Sequence, residues 1–484
     1  MTGTDVPQFG QSMKTNTAGE LGDIGACHRF AFLVVLLLIF SVSILSAKER
    51  IDLLVSGGTV VTMDAARRIL ENGAIAIRGE RILDIGPAPE ILKRYDARQL
   101  IAAKEKIILP GLINTHNHAP MVLFRGIADD LKLDVWLEKH IFPLEAKNVT
   151  KDFVTWGTAL ACLEMIRSGT TTYADMYYFE DQVAEVTSRA GMRGVLGETV
   201  LQYPAPDNRT PVEALAYAKG LIERWKGNSL IIPAIAPHAP YTNTAESLVA
   251  CKQLADRFGV PLLIHVSETQ QEEKQIREKY GMSETRWLES LDFLGPNVLF
   301  NHGVWLTPED LAIVKKHGVS ISHNPESNMK LASGTAPVPQ MLELGIAVGL
   351  GTDGAASNNN LDMFEAMDFA AKLHKLTTMD PTVLPAAQVL EMATIGGARA
   401  LGMDREIGSL EKGKKADIIV LETNSAHAQP LFNIYSQLVY DVKGSDVGTS
   451  IINGKVVMLN GKVLTVDERE IIQKAKEYRT RIAS

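Results

Sequence analysis

Residues 109–126 read LPGLINTHNHAPMVLFRG, an apolar run that ends in two histidines one residue apart. In an extended strand, side chains two apart share a face, so His116 and His118 are expected to point together and Asn117 away from them. Two imidazoles on one face can chelate a metal ion. The pair fits equally well as two polar residues where a buried strand surfaces, so the choice rests on what stands at the ends of comparable runs elsewhere in the chain.

Counting the run that closes on this pair, IILPGLINTHNH, there are eight such runs: the others are GTTTYADMY, MRGVLGETV, LIIPAIAPHAP, VPLLIHVSE, NVLFNHGV, GVSISHNP and IAVGLGTDG. They alternate with amphipathic stretches of helical length, such as VEALAYAKGLIERW (212–225) and AESLVACKQLADRFG (245–259). That alternation is the pattern of a parallel α/β fold, and eight βα units over residues 109–400, about 290 residues, match the size of a TIM-like (β/α)8 barrel. An open doubly wound sheet is the competing architecture, but no GxGxxG follows any of the runs.

The polar residues fall at the carboxyl ends of these runs: His116 and His118 on the first, His238 on the fourth, His265 and Glu268 on the fifth, His302 on the sixth, His323 on the seventh and Asp353 on the eighth. In a barrel those ends converge on one face, where active sites are built. Six of the eleven histidines sit there, a preference that scattered packing histidines would not show. His116, His118, His265 and Asp353 together offer three nitrogens and one carboxylate oxygen, a donor set that suits one divalent metal, zinc or another borderline ion. Catalysis would also need a position for water, whose pKa the metal lowers toward 7. Glu268 is placed to carry a proton to a substrate, and His302 to hydrogen-bond the water or orient a ligand. His323 reads as bracing its loop or lining the pocket. His28, His140, His317, His374 and His427 read as surface or packing residues.

Short alternating segments broken by glycines occupy residues 51–108 and return over 401–465, where Asn453-Gly454 and Asn460-Gly461 are hairpin signals. Two β-rich ends around a different middle predict one small composite β-sandwich with the barrel inserted, followed by a C-terminal helix over 466–484. Residues 1–49 stand apart. Their stretch from 30 to 47, FAFLVVLLLIFSVSILSA, carries no charge and reads either as a membrane tether or as an extension ahead of a cytoplasmic catalytic domain that starts near Arg50. Asp5, Glu20 and Asp23 before it, and Leu45 near its end, disfavour a secretory signal.

The 484 residues are 46% hydrophobic and 22% charged, ordinary for a globular protein. A formal charge of −8 and the lack of a basic run exclude nucleic acid as a generic partner. Cys27, Cys162 and Cys251 form no CxxC pair and no disulfide framework. A small molecule is the expected partner, with a homo-oligomer compatible with this composition.

LPGLINTHNHAP, LLIHVSE, LFNHG, SHNPESNMKLASG and VGLGTDGAASNN, in that order, resemble the strand-end motifs of the amidohydrolase superfamily, and more closely those of methylthioadenosine/S-adenosylhomocysteine deaminases. The resemblance runs from about residue 51 to about 465. It implies a metal-bearing barrel with a composite sandwich, zinc on His116, His118, His265 and Asp353, and replacement of the 6-amino group of an adenine nucleoside by oxygen. Glu268 would then protonate ring N1, while Asp353, aided by His302, would move the proton of water to the departing ammonia. Glu145 matches a residue that accepts hydrogen bonds from ribose hydroxyls, His238 matches a substrate contact, and Trp136 and Ser357 stand where the pocket wall is expected. Where some relatives carry an arginine after the third strand, this chain has Glu198, with Arg209 as the nearest substitute.

The nearest competing activity is that of a sibling acting on another ring, a guanine-type deaminase or a triazine chlorohydrolase. Glu268 favours a proton-demanding deamination and Glu145 favours a ribose. Cytidine-deaminase chemistry on another fold is excluded by the lack of HxE with PCxxC. A non-catalytic barrel scaffold would be expected to have lost ligands, and all are present.

Overall fold

The apolar run at 107–118 is divided between two sheets. Ile107–Pro110 is a strand of an outer sheet and Leu112–Asn117 is the first strand of the barrel. Gly111 makes the crossing between them, where a Cβ atom would lie 2.2 Å from the Thr171 side chain. The computed structural model describes residues 48–483, so the apolar stretch 30–47 lies outside the described residues. Among the described residues no helix is long and apolar enough to cross a membrane.

Eight parallel strands follow in chain order: β1 (Leu112–Asn117), β2 (Thr170–Tyr177), β3 (Arg193–Val200), β4 (Ile231–Pro237), β5 (Leu262–Val266), β6 (Val298–His302), β7 (Ser320–His323) and β8 (Val348–Leu350). Each pairs with the next, from β1 to β8. The two edges are stitched together by Thr115 Oγ1 to the Leu350 carbonyl at 2.9 Å, Asn114 Nδ2 to Thr352 Oγ1 at 2.7 Å, and the Asp353 N–H to the His116 carbonyl at 3.1 Å. The barrel is thus nearly closed. Ile113, Ala174, Val195, Ala234, Leu263 and Leu299, one from each of β1 to β6, form an apolar cluster that seats on Ile395, Leu401 and Ile407. Side chains from six different strands meet this way only on the inner face, so this cluster is the barrel's floor.

Threonine or serine caps set where the helices begin. Thr150, Thr210, Thr244, Thr269, Ser283 and Thr307 each accept the backbone N–H three residues on, satisfying an otherwise orphaned helical donor. The outer sheet draws strands from both ends of the described chain. Its order is Lys462–Val463, Lys455–Leu459, Val447–Ile452, Ile418–Leu421, Ile107–Pro110, Glu49–Val61, Ile69–Arg78 and Arg81–Pro87, with Tyr95–Ala102 also paired to Glu49–Val61. The architecture is a nearly closed (β/α)8 barrel plus a separate mixed sheet built from both ends of the described chain, consistent with the barrel and composite β-sandwich that the sequence predicts. The final helix, Glu468–Ala483, lies on the helix Lys151–Arg167, with the Tyr478 ring edge-on to Phe153 at 5.5 Å.

One buried ion pair ties barrel to sheet. Arg193 on β3 meets the Asp417 carboxylate with nitrogen–oxygen distances of 3.0 to 3.2 Å, and Asp417 also accepts the Asn453 N–H at 2.7 Å. Both side chains are almost fully buried. Removing one partner leaves the other charge unpaired, so Asp417→Ala is expected to cost about 3–5 kcal/mol of stability. Denaturant titration of the two proteins checks this.

Candidate active site

His265 follows the floor residue Leu263 by two positions on β5 and so faces the same cavity. His116 is the penultimate residue of β1 and is 1% exposed; His118 lies just past the strand, held by its own N–H to Asn117 Oδ1 and by the Ala119 N–H to Asp175 Oδ1. Asn117 turns away toward Met165 of the surrounding helix. The His116 and His118 rings meet edge to face at 4.8 Å, and His116 and His265 at 4.9 Å.

Hydrogen bonds fix which nitrogens are available. His118 Nδ1 lies 2.6 Å from the Met176 carbonyl and His265 Nδ1 lies 2.8 Å from the His238 carbonyl. A carbonyl only accepts, so each Nδ1 carries the proton and each Nε2 presents a lone pair. Those two Nε2 atoms face each other at 3.3 Å. His116 Nε2 is buried with no hydrogen-bond partner, and Asp353 Oδ1 stands 3.3 and 3.4 Å from the Nε2 atoms of His116 and His118. Lone pairs directed at one another are repulsive unless a cation lies between them, so this donor set fits a divalent metal. Burial, followed by the neighbouring His116, lowers the His118 pKa to about 4, which keeps its ring neutral and able to ligate at pH 7.

His302 differs. Both Asn324 Nδ2 and Asn328 Nδ2 point at its Nδ1, at 3.3 and 3.0 Å, so that nitrogen accepts and Nε2 carries the proton. The Nε2–H faces Glu268 Oε2 at 3.6 Å. His302 lies close enough to His116 and His265 to complete a second ligand triad, but its tautomer makes it a donor toward the cavity. Glu268 is buried, and its carboxyl is pushed well above the usual range by burial and then by Glu272, Asp353 and Glu284. Asp353 has φ of +61° and His302 +73°, left-handed conformations that L side chains avoid and that gather at functional sites. Asp353 Oδ2 accepts Ser327 Oγ at 2.7 Å and Ser357 Oγ at 2.9 Å, leaving Oδ1 toward the histidines.

The cavity is lined by His118, His238, His265, Glu268, His302, Asp353, Ser357, Trp136 and Glu145, together with Met121, Leu133, Leu137, Ile141, Phe142, Tyr177, Tyr178 and Tyr241 among others. His116 lies behind the lining. Trp136 opens a π-helical turn, Trp136–Ile141, that runs into the helix Phe142–Asn148 carrying Glu145. Glu145 accepts the Tyr177 hydroxyl at 2.8 Å and the Tyr178 hydroxyl at 3.4 Å. Its burial pushes the carboxyl up to about 7, partly offset by those two hydroxyls. His238 hydrogen-bonds Thr242 Oγ1 at 3.1 Å through Nδ1, which leaves Nε2 free to meet a ligand.

Three expectations change. Glu198 is fully buried against Asn208 and the Glu180 N–H, and neither it nor the exposed Arg209 lines the cavity. His323 does not line the pocket; its Nε2 meets His374 Nε2 at 3.1 Å, and His374 is a buried packing residue. Ser357 does more than form a wall, because its hydroxyl holds Asp353. Tyr177, Tyr178, Asn324, Asn328 and Ser327 are site residues that strand-end reasoning did not single out.

Residues 107–457 match the model of the Amidohydrolase family. The chain belongs to the amidohydrolase family. This family is metal-dependent, in keeping with the buried His/Asp cluster. The 5-methylthioadenosine/S-adenosylhomocysteine deaminase 1 of Syntrophus aciditrophicus is 48% identical over 434 residues, spanning 90% of this chain and 98% of its own. The 5'-deoxyadenosine deaminase of Methanosarcina mazei is 45% identical over 428 residues, 88% and 97% of the two chains. Among solved structures, an adenosine deaminase from Xanthomonas campestris with bound zinc superposes with a TM-score of 0.89 at 36% identity, covering 90% of this chain and all of the other.

Proposed function

We propose that the protein is a hydrolytic deaminase of adenine nucleosides, converting S-adenosylhomocysteine and 5-methylthioadenosine to their inosyl products and ammonia. The protein is a hydrolase of the class acting on C–N bonds in cyclic amidines. The observation that carries the nucleoside reading is that one cavity holds a ring-processing group at one place and a diol acceptor at another: Glu268 beside the His/Asp cluster, and Glu145 presented by two tyrosines. The names of the Syntrophus and Methanosarcina relatives support it.

A divalent ion on His116, His118, His265 and Asp353, for which the donor set and the zinc-bearing Xanthomonas structure favour zinc, would supply water with its pKa lowered toward 7. Glu268, whose carboxyl burial pushes toward the protonated form, donates to ring N1 and makes C6 electrophilic. His302, through Nε2–H, orients the attacking water's oxygen. Asp353 Oδ1 receives the water's proton and passes it to the leaving amine, while its Oδ2 is held by Ser327 and Ser357. Trp136 and Phe142 shelter the ring from solvent.

Turnover of adenosine, 5-methylthioadenosine, S-adenosylhomocysteine, guanine and a chlorotriazine, followed by ammonia or chloride release, tests this reading. Turnover of guanine or the triazine without the nucleosides would refute it. Glu145→Gln is expected to raise KM for nucleosides about 10- to 100-fold, the worth of a hydrogen bond to a charged group. Because the Glu145 carboxyl titrates near 7, its accepting form is lost below that pH. KM of the parent protein should therefore rise as pH falls through about 7, and the glutamine variant should lack that limb.

A further inference from the structure

We infer that Glu284 and Glu273 act as positioning residues, aiming Glu268 into the cavity by holding Ser267 in a left-handed turn. On an uninterrupted strand the side chains alternate, so with His265 facing inward, Glu268 three positions later would face the outer helices. It lines the cavity instead. The reversal is made at Ser267, whose φ is +54°, a conformation that a non-glycine residue keeps only when its surroundings enforce it.

Every polar group of Ser267 is committed. Its N–H donates to Glu284 Oε2 at 2.6 Å, its hydroxyl donates to Glu273 Oε1 at 2.6 Å, and its carbonyl accepts the Trp305 N–H at 2.9 Å. The next N–H, that of Glu268, donates to Glu272 Oε2 at 3.1 Å. Ser267 and Glu284 are fully buried and Glu273 nearly so. Glu284 starts the helix Glu284–Ser290 and Glu273 lies in the helix Gln270–Tyr280, so two separate helices grip one residue. Neither glutamate lines the cavity, which leaves them no direct part in chemistry. A carboxyl oxygen accepts each of Ser267's two donors, and this pair of contacts favours the kinked backbone over the extended one.

The inference rests on the proposed role of Glu268, and its test separates the two. Glu284→Ala is expected to lower kcat about 10- to 100-fold, the cost of misplacing a reacting group by about 1 Å, while KM and bound metal per chain stay near those of the parent. Glu284→Gln, whose amide oxygen can still accept the Ser267 N–H, should recover most of kcat. In a Glu268→Gln background, Glu284→Ala should cost nothing further, because it acts through the side chain already disabled. If the alanine variant does not fold, Glu284→Asp carries the same test: it keeps a carboxylate at the helix start but falls short by one methylene. Parent-like kcat in Glu284→Ala or Glu284→Asp, with Glu268→Gln inactive, would overturn the inference alone. Metal loss parallel to activity loss, or an equal further loss in the Glu268→Gln background, would also overturn it. An active Glu268→Gln protein would overturn the role of Glu268, and the inference with it.

Discussion

Glu268→Gln is expected to lower kcat for adenine nucleosides by about 10²–10⁴-fold, the usual contribution of a positioned proton donor, with KM and bound metal unchanged. Glutamine keeps the volume and hydrogen-bonding reach of glutamate but has no acidic proton for ring N1. The native carboxyl is suited to the task because burial, and then Glu272, Asp353 and Glu284, raise it well above the ordinary carboxylate range. A carboxyl raised in this way holds its proton to higher pH than an ordinary carboxyl. Activity that depends on the acid form is present below its pKa and lost as pH rises through it, so the alkaline limb of kcat reports this group. Steady-state kinetics on the variant, with metal analysis alongside, decides the matter. Activity equal to that of the parent would remove Glu268 from proton transfer, whatever the cavity's geometry.

The barrel was legible because its signal is repeated. Eight apolar runs alternate with helical stretches, and polar residues gathered at one end of six of them have no packing reason to do so. His116, His118, His265 and Asp353 could be picked from the chain for the same reason: strand ends in a barrel share one face. What stayed hidden depends on backbone turns that break the alternation or on partners far along the chain. The boundary at Gly111 lies inside one apolar run, where only Pro110-Gly111 hints at it, and a Cβ at that position would collide with Thr171. Tyr177 and Tyr178, adjacent at the end of β2, would be assigned opposite faces by period two, yet both hydroxyls reach Glu145 because the strand ends between them. Arg193 and Asp417 are 224 residues apart, and neither has a local feature that marks it as half of a buried pair. His323 shares the strand-end position of the clustered donors, but β7 directs it toward His374 instead of the cavity, a difference of face that spacing alone does not encode.

Removal of the metal is expected to abolish turnover, by about 10²-fold or more, and to lower the unfolding midpoint, with both restored by added zinc. The physical ground is the arrangement of the donors. His118 and His265 have their Nδ1 protons committed to carbonyls, so neither can rotate its tautomer to relieve the 3.3 Å approach of two Nε2 lone pairs without giving up a buried hydrogen bond. His116 Nε2 is buried without a hydrogen-bond partner, and Asp353 Oδ1 adds a negative charge. Without a cation each of these carries a desolvation cost that nothing returns. A ligand held at a thousand times its dissociation constant stabilises the folded state by about 4 kcal/mol, so the midpoint shift should scale with the logarithm of free zinc. His116→Ala should show the same loss of turnover but little recovery with zinc, because it deletes one of the four donors. Chelated protein that retains full turnover, with no metal detected by elemental analysis, would defeat the assignment of these four side chains as a catalytic metal site.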